Sequence, residues 1–273
     1  MAITDNLPEL KDNKQVTDAQ IEGFRKNGHV LIPGILNADE VSAYRTVINK
    51  AANRYNTEKR SLDERDTYGK AFLQIMNLWE VDENVKKFTL AKRMAKIAAD
   101  LLGVQNVRIY HDQALYKEPG GGFTPWHQDQ YYWPVDTNNT ITMWMPLIDI
   151  TAEMGMLTFA SGSQNAGFVE NMAISDESEA MLEQFVKDKG FEVDRPKSMK
   201  AGDASWHYGW TLHSAPGNQS QNTVREVFTV IYIADGACVT EPQNKHQEND
   251  RQRWLCGLEP GELVASELNP LLL

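Results

Sequence analysis

The segment Thr124–Pro134, TPWHQDQYYWP, sets an imidazole, His127, and a carboxylate, Asp129, two residues apart among four aromatic rings. In an extended strand, residues two apart share a face. The spacing therefore predicts that His127 and Asp129 project together while Gln128 turns away. An imidazole and a carboxylate on one face are two-thirds of a facial metal site. The third donor has to come from a distant strand, because one short segment cannot close around an ion. Among the six histidines, His29 opens an early strand, His111 sits directly beside Asp112, and His246 lies in the polar run PQNKHQEND. His207 and His213 share WHYGWTLH at an even spacing, which would place both on one strand face unless Gly209 bends the chain.

The residues after His213 separate the two. A polar turn, APGNQSQNT, leads into the strand REVFTVIYIAD, whose first residue is Arg225. An arginine at the head of a buried strand is costly unless an anion meets it. Its planar fork suits a carboxylate bidentately, so a bound dicarboxylate is the expected partner. Two histidines and one carboxylate leave three coordination positions open, the pattern of non-haem Fe(II) oxygenases. A chelating 2-oxo acid would take two and O2 the third, with Arg225 on the far carboxylate of 2-oxoglutarate.

The elements that must carry these residues change character along the chain. Thr17 with Gln20 and Asn37 with Glu40 make two capping boxes, which predict helices ending at Gly28 and near Arg54 around a short strand, HVLIPGIL. Residues 56–70 read as a polar loop. Leu90, Met94, Ile97 and Leu101 form one apolar face of a helix running from Asp82 to Gly103. From Val104 onward, short β-rich runs alternate with Gly, Pro, Asn and Ser, interrupted only by a helix between Ser175 and Gly190. The expected architecture is α+β and β-rich: one domain over residues 1–273, with helical support over 1–103, a β sandwich or barrel over 104–235 and a tail over 236–273.

Bulk properties narrow the partners. The chain has 273 residues and a formal net charge of −11, which repels nucleic acid and anionic membranes. A small-molecule substrate is the expectation. The N-terminal residues lack the apolar core of a secretory signal, and no run is long and apolar enough for a membrane span. Two cysteines, Cys238 and Cys256, read as reduced thiols of a cytoplasmic protein. Gly120–Gly122 is no phosphate loop, since no helix start follows it.

HDQALYKEPGGGFTPWHQDQYYWP, GDASWHYGWTLHSA and Arg225, taken together, resemble the phytanoyl-CoA dioxygenase family of Fe(II)/2-oxoglutarate oxygenases. The resemblance runs from the first helix to about Asp235. It implies a double-stranded β-helix, the jelly roll of cupin-like proteins, with helices packed outside. It implies His127, Asp129 and His213 as iron ligands and Arg225 as the 2-oxoglutarate anchor. Gln113 and Lys117, on the strand before the motif, are expected to help hold the cosubstrate, and Thr142 and Trp144 to line the same pocket. Gln74, Asn77, Tyr132, Trp133 and Trp210 are the candidate substrate contacts, whereas Trp126 reads as packing. Gln164 stands where the family has a histidine ending a GSH loop, with no expected effect on iron. Asp129 stands where halogenating relatives of this enzyme class carry a small residue, which favours hydroxylation. Two other readings stay open: a metal-dependent hydrolase or isomerase on a cupin-like barrel, and a non-catalytic ligand-binding jelly roll.

Overall fold

The helical half begins at two reciprocal caps. The Thr17 hydroxyl accepts from the Gln20 amide at 3.2 Å while Gln20 Oε1 accepts from the Thr17 amide at 2.9 Å, opening α1 (Asp18–Asn27). Asn37 and Glu40 repeat the arrangement at the start of α2 (Ala38–Tyr55). Helix α1 stops at Gly28 in the left-handed region, φ 81°, where a Cβ would lie 2.2 Å from Gln164 Oε1. Residues 7–12, 14–169 and 174–273 are described by this computed structural model, so part of the N-terminal stretch read above for a signal lies outside them.

After β1 (His29–Ile32) and α2, the chain forms α3 (Thr67–Ala71), β2 (Leu73–Met76), α4 (Leu78–Val81), α5 (Glu83–Thr89) and α6 (Lys92–Leu102). Residues 56–70 are less of a loop than expected, because α3 starts inside them with Asp66 as its cap. The single helix expected from Asp82 to Gly103 is two helices, broken where Ala91 is extended. Tertiary bonds impose the break: Thr89 donates to the buried Asp112 carboxylate, and the Arg93 amide donates to the Leu10 carbonyl. Asp112 also accepts from the Leu78 and Trp79 amides, so one carboxylate ties α4 and α5 to the sheet.

The remaining strands are β3 (Val107–Lys117), β4 (Thr124–His127), β5 (Thr140–Pro146), β6 (Ile150–Thr151), β7 (Thr158–Ser161), β8 (Glu192–Asp194), β9 (Ser198–Met199), β10 (Ala204–Tyr208), β11 (His213–Ala215) and β12 (Arg225–Ala234). Two helices interleave with them, α7 (Asp176–Lys189) and α8 (Lys245–Trp254). One antiparallel sheet runs β1-β10-β5-β12-β3-β2 and a second runs β4-β11-β7-β8, with β6 and β9 paired alone. These two sheets are the jelly roll, the double-stranded β-helix expected above. No helix among the described residues is long and apolar enough to cross a membrane.

Alternation on the larger sheet divides core from cavity. Phe228, Val230 and Tyr232 of β12, with Ile141, Met143 and Met145 of β5, pack in one cluster with α2, α5 and α6. Arg225, Thr229 and Ile231 of β12, with Thr142 and Trp144 of β5, line a cavity on the opposite face. Residues beyond 235 are more than a tail. Ala237, Val239, Trp254, Leu255 and Val264 form a core cluster with Tyr110 and Ile231.

His207 and His213 do not share a strand. Strand β10 ends at Tyr208 in the larger sheet, and His213 opens β11 in the smaller one. At Gly209 an added Cβ would lie 2.4 Å from Thr140 Oγ1 and 2.6 Å from Gln130 Oε1. Gly209→Ala is expected to destabilise the fold by about 1–3 kcal/mol through overpacking, measured by urea unfolding.

Candidate active site

His127 and Asp129 converge, but not along one strand. Strand β4 ends at His127, and Asp129 begins a 3-10 turn running to Tyr132. The expectation of a strand through both is corrected here. Gln128 keeps extended angles, φ −120° and ψ 125°, so the two-residue projection survives the end of the ladder. Its side chain turns away and donates to the Gly167 and Trp210 carbonyls, both at 2.7 Å. Pro125 is tolerated because β4 is an edge strand.

His213 pairs directly with His127 across β4 and β11. One Asp129 oxygen, Oδ1, lies 3.6 Å from both His127 Nε2 and His213 Nε2. Donor atoms of the three residues all fall within 4.8 Å of one another, so they can hold a metal ion. The tautomers suit that role. His127 Nδ1 donates to the Pro125 carbonyl at 2.7 Å, and His213 Nδ1 donates to the Thr211 carbonyl at 2.9 Å. Carbonyls only accept, so each Nε2 carries a lone pair toward the centre. Burial, reinforced by His213, pushes His127 down to about 4, and burial pushes His213 down to about 4 against the attraction of Asp129. Burial works against ionising Asp129, yet His213, His207 and His127 outweigh it and hold the carboxyl well below its usual range. The set is two neutral imidazoles and one carboxylate, a donor set that fits a divalent iron.

The second carboxylate oxygen is held from the larger sheet. Thr142 Oγ1 donates to Asp129 Oδ2 at 2.9 Å, and His207 Nε2 lies 3.2 Å from the same atom. His207 thus supports the carboxylate from outside the donor set. Thr142, expected to line the pocket, does line it and also bonds to Asp129.

Arg225 lies on the cavity wall with only 2% of its surface exposed. Nη1 donates to the Gly155 carbonyl, and the guanidinium sits over the Trp144 ring at 5.3 Å. Nε has no partner among the described residues, and burial pushes the group down to about 9. A buried, incompletely bonded guanidinium facing a cavity calls for a carboxylate.

The cavity, about 250 Å3, also takes in Gln74, Gln113, Tyr132 and Trp133 from the residues expected there. Gln74 Nε2 donates to Gln113 Oε1 at 3.0 Å, and the Tyr68 hydroxyl donates to Gln74 Oε1 at 2.9 Å. The Ile174 amide donates to the Tyr132 hydroxyl at 3.1 Å, and burial pushes that phenol up to about 12.

Three expectations are corrected. Lys117 does not line the cavity: its buried Nζ donates to the Gly122 carbonyl at 2.5 Å and to Thr124 Oγ1 at 3.3 Å, tying down the glycine loop. Burial, then neighbouring Arg225, pushes it down to about 6, as suits an amine beside a fixed cation. Asn77 is buried in the left-handed region, φ 50°, where Oδ1 accepts from the Asp112 amide and Trp79 Nε1 at 3.2 Å each. Trp210 lies outside, its Nε1 donating to Asn138 Oδ1 at 2.8 Å. Sequence reading missed His111 as a wall residue, Tyr68, and Asp250 and Trp254 of α8. No local pattern in the sequence marked these positions.

The family model described as phytanoyl-CoA dioxygenase (PhyH) matches residues 24–227 of the chain. A phytanoyl-CoA dioxygenase domain-containing protein 1 from Danio rerio is 22% identical, over 84% of this chain and 94% of the relative. Among solved structures, the chain is similar to SnoK, a non-heme alpha ketoglutarate dependent carbocyclase from nogalamycin biosynthesis. The TM-score is 0.78 and the identity 24%, covering 95% and 97% of the two chains. It is also similar to the epimerase SnoN in complex with Fe3+, alpha ketoglutarate and nogalamycin RO, with a TM-score of 0.75 and 22% identity over 93% and 98% of the two chains.

Supporting bonds to a ligand carboxylate tune metal affinity. Thr142→Val is expected to weaken Mn(II) binding about tenfold, read by calorimetric titration, while leaving the melting temperature within a few degrees.

Proposed function

The chain belongs to the phytanoyl-CoA dioxygenase family of non-haem iron, 2-oxoglutarate-dependent oxygenases, and we propose that it hydroxylates an unactivated C–H bond of a small molecule. The observation that carries this reading is one cavity with the His127, Asp129 and His213 donors on one wall and the incompletely bonded Arg225 on another. His127 Nε2, Asp129 Oδ1 and His213 Nε2 would hold Fe(II), and Arg225 the far carboxylate of 2-oxoglutarate. When bound, the iron and cosubstrate supply a two-electron oxidation by O2, one oxygen atom entering the substrate and the other the succinate formed with CO2.

The residues of this chain bind, orient and exclude. Thr142 and His207 keep Asp129 Oδ2 occupied, leaving Oδ1 for the metal. The Arg225 guanidinium sits over the Trp144 ring, and Gln74 bonds to Gln113 in the cavity wall. Tyr132 and Trp133 contribute aromatic surface against which a substrate can be desolvated. A hydrolase or isomerase would leave Arg225 without a use, and a pure binding protein would not need both imidazoles presenting lone pairs. The acidic charge of the whole chain supports a small-molecule substrate, and the free thiols of Cys238 and Cys256 suit a cytoplasmic setting.

Anaerobic addition of Fe(II) and 2-oxoglutarate is expected to raise a weak visible charge-transfer band. Asp129→Ala should abolish it, and a band that survives that substitution sinks the reading. Arg225→Ala should raise the 2-oxoglutarate concentration needed for half the band about 100-fold, the scale of losing a buried charge pair.

A further inference from the structure

We propose that Asp250 anchors a protonated amine on the substrate, so that the enzyme acts on small cationic molecules. This deepens the oxygenase reading and rests on it. Among the described residues, the charged side chains lining the cavity are Arg225, Asp129 and Asp250, together with four imidazoles. Arg225 and Asp129 have uses at the cosubstrate and the metal. A divalent iron, the two carboxylates of 2-oxoglutarate, Asp129 and Arg225 together carry no net charge. Asp250 is the one charge left over.

Local structure places it deliberately. The pairing of β3 with β12 slips at Tyr110, since Ile231 faces His111 while Tyr232 faces Ile109. Such a bulge turns two consecutive side chains to one face. Tyr110 joins the cluster with Ile231 and Trp133, and its hydroxyl donates to Asp250 Oδ2 at 3.1 Å. His111, only 2% exposed, lines the cavity with Nδ1 unpartnered among the described residues. No lysine or arginine among the described residues acts on Asp250, and burial pushes its carboxyl up to about 7.

A half-buried carboxylate whose only side-chain partner among the described residues is one phenol is an unfavourable place for a charge unless a cation arrives. The surrounding wall favours a cation over a neutral hydroxyl. Trp254, Tyr132, Trp133 and Tyr68 line the same cavity, and aromatic faces attract ammonium groups. Asp250 and Trp254 come from α8, beyond residue 227, where the family match ends.

The test uses matched probes on the full chain, metal-free and with Fe(II) and 2-oxoglutarate under argon. Tyramine is compared with tyrosol, and cyclohexylmethylamine with cyclohexylmethanol, by ligand-detected NMR titration. In at least one pair, the amine is expected to bind about tenfold tighter than its alcohol, as a charge-assisted bond allows. Asp250→Asn, which keeps an acceptor for Tyr110, should erase that preference and leave alcohol binding within about twofold. Amines that bind no better than their alcohols in both pairs overturn the assignment, as does a preference that survives in a folded Asp250→Asn. The visible band is recorded on the same wild-type samples. A missing band removes the oxygenase reading itself, whereas a normal band without amine preference removes the assignment of Asp250 alone.

Discussion

Strand β12 is wedged between β3 and β5, and its two-residue alternation is the constraint on which the site depends. Phe228, Val230 and Tyr232 are fully buried against helices, which fixes the strand's register and rotation. The intervening residues are thereby forced to the opposite face, and Arg225, Thr229 and Ile231 line the cavity. A slip of one residue would exchange the two sets, sending a guanidinium into the aliphatic core. The helical half therefore does its work at a distance: by filling one face it makes the other face available.

Charge is the second organising influence. The cavity holds a buried guanidinium and a carboxylate on facing sheets, and each is arranged so that a ligand completes it. Asp129 is contacted from both sheets, with Oδ1 toward His127 and His213 and Oδ2 toward Thr142 and His207. That shared carboxylate bridges the sandwich, so the donor geometry is coupled to how the sheets pack. Beside Arg225, Lys117 is buried and shifted toward its neutral form, which leaves one fixed cation where two would repel.

Much of this was legible in the residues because its causes are local. Caps at Thr17, Asn37 and Ser175 act over three residues, and the structure has all three helices starting there. The β-rich runs after Val104 became strands since alternation and turn residues are short-range signals. What escaped depends on contacts far apart in the chain. The break at Ala91 follows from bonds reaching Asp112 and Leu10. Asn77 and Trp210 have the chemistry of pocket residues, but Asn77 is spent on a turn and Trp210 on an outer contact with Asn138. Asp250 lies in a polar run that carries no pattern, and it reaches the cavity only because Trp254 and Leu255 dock α8 against the sheet.

Residue type and order alone determined the donors, His127, Asp129 and His213, and the cation downstream, since metal ligands and anion anchors are restricted to a few side chains. Order also determined the fold class, through the change from helical to strand periodicity. Tertiary structure decided what His207 does: the larger sheet carries it to Asp129 Oδ2, outside the donor set, while His213 stands in the smaller sheet. It also decided what the cavity can accept. A pocket wall is assembled from segments up to 186 residues apart, from Tyr68 to Trp254. No interaction within any one of those segments records the others.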